Sequence, residues 1–326
     1  MPGIGGWGLG VGSLSEPLTP NSQLPTPGVA LTIDGNSRLV YLDPYEGARL
    51  AVAEAARNLA CVGAEAAIVT DGLNFGNPDK PDRYWQFRRA VEGIADACRA
   101  LDLPVVSGNV SFYNESPAGP IHPTPIIGML GTLPDVSRHA TPGFKAEGDW
   151  IYRVGPETVT LGASEYLAVI HGQEAGRPVA VDLELEARVQ SVVRDLIREG
   201  LLQSAHDCAE GGLAVALAES CIAGGVGAVV SGWWIVDSSD DIAPSLTTNH
   251  YPLSTALFGE GPSRILISVC PARRAQVEAR LAAVGVPREL LGTVGGRNIL
   301  IGDAVDVAVS DLEETWEQTL PEIMGS

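Results

Sequence analysis

Ala66-Ala67-Ile68-Val69-Thr70-Asp71-Gly72-Leu73-Asn74-Phe75-Gly76-Asn77-Pro78 is the stretch that decides the fold class. Residues 66–70 form a short apolar run with β-branched members, the pattern of a buried strand. From Asp71 onward Gly, Asn and Pro favour turns, so the pattern predicts a strand ending at Thr70 and opening into a loop. A helix is predicted over 84–100, with Phe87, Val91, Ile94 and Ala95 on its apolar face. Leu103-Pro104-Val105-Val106 predicts a second strand, closing in the loop Ser107-Gly108-Asn109-Val110-Ser111. Strand, helix and strand make an α/β unit. Its two neighbouring strands would carry oxygen-bearing residues at their C-terminal ends, where open α/β sheets bind ligands.

Asp71 offers a carboxylate and Asn109 a neutral carbonyl oxygen. Hard cations such as magnesium take oxygen ligands and keep waters and phosphate oxygens in their shell. Gly108 lets backbone approach a ligand closely, and Ser111 adds a hydroxyl for a second ligand. The set suits a magnesium–nucleotide site with a substrate group nearby. The same Asp and Asn also suit ordinary turns, and spacing alone leaves both readings open.

The longer runs carry more. Residues 70–78, then Trp85-Gln86-Phe87, then Pro104-Val105-Val106-Ser107-Gly108-Asn109-Val110-Ser111-Phe112-Tyr113-Asn114-Glu115 closely resemble the PurL-type phosphoribosylformylglycinamidine synthases. These belong to the ATP-dependent family that also contains aminoimidazole ribonucleotide synthase. The resemblance runs from about Gly28 to near Pro321 and covers only the second of two homologous halves. It implies two α/β domains with mixed (α+β) sheets. It also implies a C–N bond-forming, glutamine-dependent ligase of purine biosynthesis, in which ATP activates the amide oxygen of formylglycinamide ribonucleotide and ammonia displaces the phosphate. By the same resemblance Asp71 and Gly108 contact ATP, Asn109 ligates Mg2+ and Ser111 contacts the substrate. The expected catalytic histidine belongs to the half without a counterpart here, so no catalytic residue is assigned. The implied partners are a first-half PurL-type chain, a glutaminase subunit and a small bridging subunit. In the family the first domains of two halves pair face to face, so the chain alone is expected to be catalytically incomplete. Two alternatives are a self-pairing ATP-dependent synthase and a non-catalytic scaffold half.

Composition limits the function classes. The 326 residues are 45% hydrophobic and 19% charged, and formal net charge is −19. That balance suits two globular domains. The acidic excess argues against nucleic acid and anionic membrane, which need a basic surface. It leaves room for a phosphate ligand, because a metal ion and backbone amides supply local positive potential. Cys61, Cys98, Cys208, Cys221 and Cys270 are scattered without a CxxC pair, as in a reduced cytoplasmic protein. No apolar run reaches membrane-spanning length.

The remaining expectations follow the chain. Residues 1–27 are rich in Gly, Pro and Ser and read as a flexible leader. A hairpin is expected, with strands over 29–33 and 39–42 and a turn at Asp34-Gly35-Asn36. A helix follows from Pro44 to about Cys61, capped by Asp43, stopped at Gly63, with Val52, Ala55, Ala56 and Leu59 buried. Residues 126–130 read as a central strand, and His122 and His139 as loop or surface residues. The first domain is placed at 28–149 and the second at 150–326. In the second, a strand is expected at 151–154 and an amphipathic helix carries Leu185, Val189, Val192 and Leu196, stopped by Gly200. His206-Asp207-Cys208-Ala209-Glu210-Gly211-Gly212-Leu213 opens a helix with a Gly pair. That pair is either a ready anion site or a tight turn permitting close packing. Glu260 and Arg264, in a loop before a strand at 265–269, are expected to pair. A helix over 272–283, a strand pair near 291–294 and 299–301, and a last helix with a Ser310/Glu313 capping box complete the chain.

Overall fold

The structure, a computed structural model, describes residues 25–231 and 252–325. The predicted leader therefore lies outside the described residues except for its last three. The chain divides into two compact units. One holds the described residues through His139 with Val193–Glu199; the other holds Ala140–Val192 and the described residues from Gly200 on.

In the first unit, β1 (Gly28–Asp34), α1 (Ser37–Leu42), α2 (Pro44–Cys61), β2 (Glu65–Asn74), α3 (Pro81–Ala100) and β3 (Val105–Ser111) follow in order. A short hairpin of β4 (Glu115–Ser116) and β5 (Gly119–Pro120) then leads into β6 (Thr124–Leu133). The sheet order is β1-β6-β2-β3. As expected, β6 is central, antiparallel to both β1 and β2, while β2 and β3 run parallel.

Helix α2 forms where expected. The Asp43 carboxylate accepts from Glu46 N–H, Pro44 takes the first helical position, and Val52, Ala55, Ala56 and Leu59 are buried. Three expectations are corrected. The expected return strand at 39–42 is the helix α1, because the Asn36 side chain accepts from the N–H groups of Arg38 and Leu39 and nucleates a turn. Strands β2 and β3 do not stop at Thr70 and Val106. They run on through Asn74 and Ser111, because β3 and β6 pair with β2 along both sides of this stretch, and the ladder outweighs turn propensity. Helix α3 starts three residues early, with Pro81 at its first position. Its buried stripe is Ala90, Gly93, Ile94, Ala97 and Cys98, while Val91 is exposed.

The second unit begins with β7 (Trp150–Val154), α4 (Glu165–His171), α5 (Leu183–Arg198, whose residues from Val193 on are counted with the first unit), β8 (Ser204–Asp207), α6 (Gly212–Gly224) and β9 (Ala228–Val230). It continues with α7 (Leu253–Phe258), β10 (Ile265–Val269), α8 (Arg274–Ala283), β11 (Arg288–Val294), β12 (Asn298–Ile301), β13 (Val305–Ala308) and α9 (Val309–Met324). The seven strands order as β13-β12-β9-β11-β7-β10-β8. Ile151, Leu217, Leu266, Leu291, Ile299 and Val309 are among the side chains of its core. The expected pairing of β11 with β12 is not formed. Strand β9 lies between them, antiparallel to β11 and parallel to β12. The capping box is not formed either: β13 runs directly into α9, Ala308 is the cap residue, and Ser310 Oγ donates to Asp311 Oδ1. Among the described residues no helix is long and apolar enough to cross a membrane.

Candidate functional site

The C-terminal halves of β2 and β3 bring Asp71, Gly108, Asn109 and Ser111 onto one pair of parallel strands. Asp71 stands opposite Gly108, Gly72 opposite Asn109 and Asn74 opposite Ser111. Side chains alternate across a pleated strand. Asp71 and Gly108 therefore share the face covered by α2 and α3, while Asn109 and Ser111 lie on the opposite, open face. Burial pushes the Cys98 thiol of α3 up to about 11, and the nearby Asp71 charge acts in the same direction. The four residues are neighbours along two strands but not one cluster on one face.

Asp71 sits over Gly108 so closely that a Cβ at position 108 would lie 2.2 Å from Asp71 Oδ1. Burial pushes the Asp71 carboxyl above its ordinary range. Among the described residues no hydrogen-bond donor reaches that carboxylate. A half-buried carboxylate that no donor reaches costs free energy, and a cation relieves it.

On the open face the Asn109 side chain makes no hydrogen bond within the described residues. Gly72 leaves space beside it: a Cβ there would meet Asn109 Oδ1 at 3.5 Å, an ordinary contact. Thr70 Oγ1 and Ser107 Oγ share a hydrogen bond of 2.8 Å nearby. The rest of this face is apolar and uncovered, with Val29, Leu31, Ile33 and Ile126 all exposed.

The strand ends are fastened by residues to which sequence reasoning gave no role. Asn114 Nδ2 donates to Phe75 O at 3.0 Å and Ser111 O at 2.9 Å, and Ser111 Oγ lies 3.3 Å from Asn114 Oδ1. Glu115 accepts from Asn77 N–H at 3.0 Å and from Lys80 Nζ at 2.7 Å. These contacts tie the segment after β2 to the segment after β3. Tyr113, at φ +60°, makes the bend that turns Asn114 back. A polar pair just after an aromatic at a strand end was the available signal. His122 stacks on Tyr41 and His139 is exposed.

The donor set fits magnesium with a phosphate ligand. It consists of hard oxygens, and among the described residues no group of three or more His, Cys, Asp or Glu could hold a metal by itself. The pleat keeps Asp71 and Asn109 from serving one ion on the same face.

The Gly211-Gly212 turn opens α6 as expected, but its N–H groups are used inside the unit. Gly211 N–H donates to Glu260 Oε1, and Gly212 N–H to Ala209 O. Glu260 also takes the Glu165 N–H rather than pairing with Arg264, whose Nη1 donates to Gly259 O.

Comparison with known proteins gives two domain matches. Residues 23–133 match the AIR synthase related protein, N-terminal domain, and residues 146–303 the corresponding C-terminal domain. Phosphoribosylformylglycinamidine synthase subunit PurL of Synechococcus sp. (strain JA-3-3Ab) is 53% identical over 279 residues, 85% of this chain and 35% of that protein. The subunit of the same name from Moorella thermoacetica is 46% identical over 302 residues, covering 91% of this chain and 39% of that protein. The chain thus spans little more than a third of the length of these relatives. A structure of T. maritima PurL complexed with FGAR matches 88% of this chain and 46% of its own, with TM-score 0.70 and 19% identity. Thiamine-monophosphate kinase from Stenotrophomonas maltophilia matches 87% of both chains, with TM-score 0.57 and 15% identity. At such identities these two likenesses show a shared fold alone, and fold does not select a reaction.

Proposed function

Because the chain belongs to the AIR synthase related family, we propose that it is the second-half portion of a PurL-type synthase, an ATP-dependent, glutamine-dependent C–N ligase acting on formylglycinamide ribonucleotide. The relatives named PurL support the reaction class. The observation that carries the site is the Asp71 carboxylate, reached by no hydrogen-bond donor among the described residues and laid over Gly108 on two adjacent parallel strands.

In this reading Asn109 supplies an oxygen to Mg2+ and Ser111 hydrogen-bonds the substrate, both on the open face, while Asp71 and Gly108 contact the nucleotide from the other face of the same two strands. Bound magnesium–ATP supplies the phosphoryl group that activates an amide oxygen for displacement by ammonia. The chain's own residues bind and orient; none of them is a general base, so catalysis here rests on positioning and charge neutralisation. The 28–149 portion carries the ATP site and the 150–326 portion completes the family's two-domain plan. A first-half chain supplies the remaining catalytic groups, with a glutaminase subunit and a small bridging subunit delivering ammonia in the cytoplasm.

The uncovered apolar face with Val29, Leu31, Ile33 and Ile126 supports pairing of this sheet with another domain. A second reading, pairing with a second copy, draws on the same face. Light scattering that finds only monomer removes it.

The deciding experiment is calorimetric titration with magnesium–ATP, with and without a first-half PurL-type chain, comparing wild type with Asn109→Ala. Binding that requires the partner and weakens in N109A supports the reading. Binding by the chain alone, unchanged in N109A, overturns the site.

A further inference from the structure

Gly211 and Gly212 start α6 in the left-handed region, at φ +78° and +66°. Gly211 N–H donates to Glu260 Oε1 at 2.8 Å and Gly212 N–H to Ala209 O at 3.1 Å. The same Glu260 Oε1 takes the N–H of Glu165, the first residue of α4, also at 2.8 Å. Glu260 is itself held by backbone, exchanging hydrogen bonds of 2.9 and 3.0 Å with Thr160. The surroundings are closed: a Cβ on Gly212 would lie 2.6 Å from Gly259 O and 3.0 Å from Leu257 O. On the α4 side, Tyr166 stacks on Phe258 with ring centroids 5.0 Å apart.

We propose that Glu260 is a built-in anion: its carboxylate takes the position at the start of α6 that an external phosphate would take, and it latches α4 to α6. Helix starts present N–H groups and a positive dipole end, which favour negative charge. A phosphate would have to displace a side chain held in place by its own backbone. Gly212 thus serves the approach of the 257–259 backbone, while a Cβ on Gly211 would meet Val215 Cγ2 at 2.3 Å.

The latch carries strain in its charge state. Burial drives the Glu260 carboxyl up to about 7, against the two N–H bonds, and the charges of Glu210 and Glu165 push the same way. Arg264, the nearby cation, is turned to Gly259 O. The contacts, not this titration, carry the proposal, which stands apart from the functional reading above.

Hydrogen–deuterium exchange on the full chain at pH 8 tests it, with wild type, Glu260→Ala and Glu260→Gln, each with and without millimolar inorganic phosphate. E260A is expected to exchange about tenfold faster over 160–171 and 209–215, the loss of a hydrogen bond to a charged acceptor. The sheet from β7 to β10 stays protected. E260Q keeps an accepting oxygen but not the charge, and is expected to fall between wild type and E260A. Phosphate leaves wild type unchanged and restores protection over 209–215 in E260A. If E260A fails to fold, Glu165→Pro compared with Glu165→Ala carries the test: both remove the side chain, Pro suits a first helical position, and only Pro also deletes the N–H that Glu260 accepts. The Pro variant is expected to speed exchange in α4 while the α6 start stays protected. Phosphate protection of 209–215 in wild type overturns the built-in anion, and unchanged α4 exchange in E260A or E165P overturns the latch.

Discussion

The Asp71 carboxylate occupies the space that a side chain at position 108 would need, 2.2 Å from the place of its Cβ and 2.8 Å from that Cβ to Asp71 O. The pairing makes residue 108 a steric condition of the site rather than a flexible hinge.

Two glycines of this strand pair should therefore respond in opposite ways. Gly108→Ala is expected to lose ~1–3 kcal/mol of unfolding free energy by overpacking and to weaken magnesium–ATP binding. Gly72→Ala meets nothing closer than 3.5 Å and adds a methyl to an extended strand. Its expected change in stability is within about 0.5 kcal/mol. Urea denaturation of both variants checks the contrast.

Asp71→Asn should separate stability from binding. The folded-state carboxyl is raised by burial, so its contribution to stability is present at acid pH and is lost as pH rises past its ordinary range. Once ionised, the buried group opposes folding. D71N is expected to raise Tm at pH 7 and to lower it relative to wild type by nothing at pH 3, while magnesium–ATP affinity falls. A lower Tm at pH 7 would mean the carboxylate has a donor in solution.

Asn114→Ala removes the amide that fastens Phe75 and Ser111. The expected loss is ~1–2 kcal/mol, for hydrogen bonds whose carbonyl partners can turn to water only in part. Exchange at residues 111–116 should rise, and substrate affinity should fall more than nucleotide affinity, because Ser111 Oγ loses its neighbour.

Helix α3 tests the corrected stripe. Ile94→Ala, at a fully packed position, is expected to cost ~2–4 kcal/mol. Val91→Lys, on the exposed side, should stay within about 0.5 kcal/mol. Thermal melts of the two variants distinguish the stripes.

Much of this arrangement was legible in the residues. Asp43-Pro44-Tyr45-Glu46 announced α2 because capping is local, and short apolar runs announced β6, β7 and β10. The quoted runs around Asp71 and Asn109 announced the family. What escaped depended on partners distant in sequence. Asp71-Gly72-Leu73-Asn74 reads as a turn by itself and becomes strand only because β3 and β6 flank it. Continuing those strands is what assigns Asp71 and Asn109 to opposite faces, a consequence no loop reading contains. Leu39-Val40-Tyr41-Leu42 fits either period, and the Asn36 side chain tips it to helix. The partner of Glu260 was missed for the same reason: two backbone N–H groups compete with Arg264, and only packing decides between them.

Strand β3 ends the order of its sheet, and Val105 through Val110 are all exposed. Its sequence, VVSGNVS, contains no lysine, proline or other residue that blunts a free edge. The strand that carries Gly108, Asn109 and Ser111 is thus also an open template for β-addition. A net charge of −19 opposes the approach of two copies along this edge. That protection is colloidal, and salt or acid takes it away. Added salt, or acid that protonates the carboxylates, is therefore expected to promote edge-to-edge association of copies that stay apart in dilute buffer above neutrality.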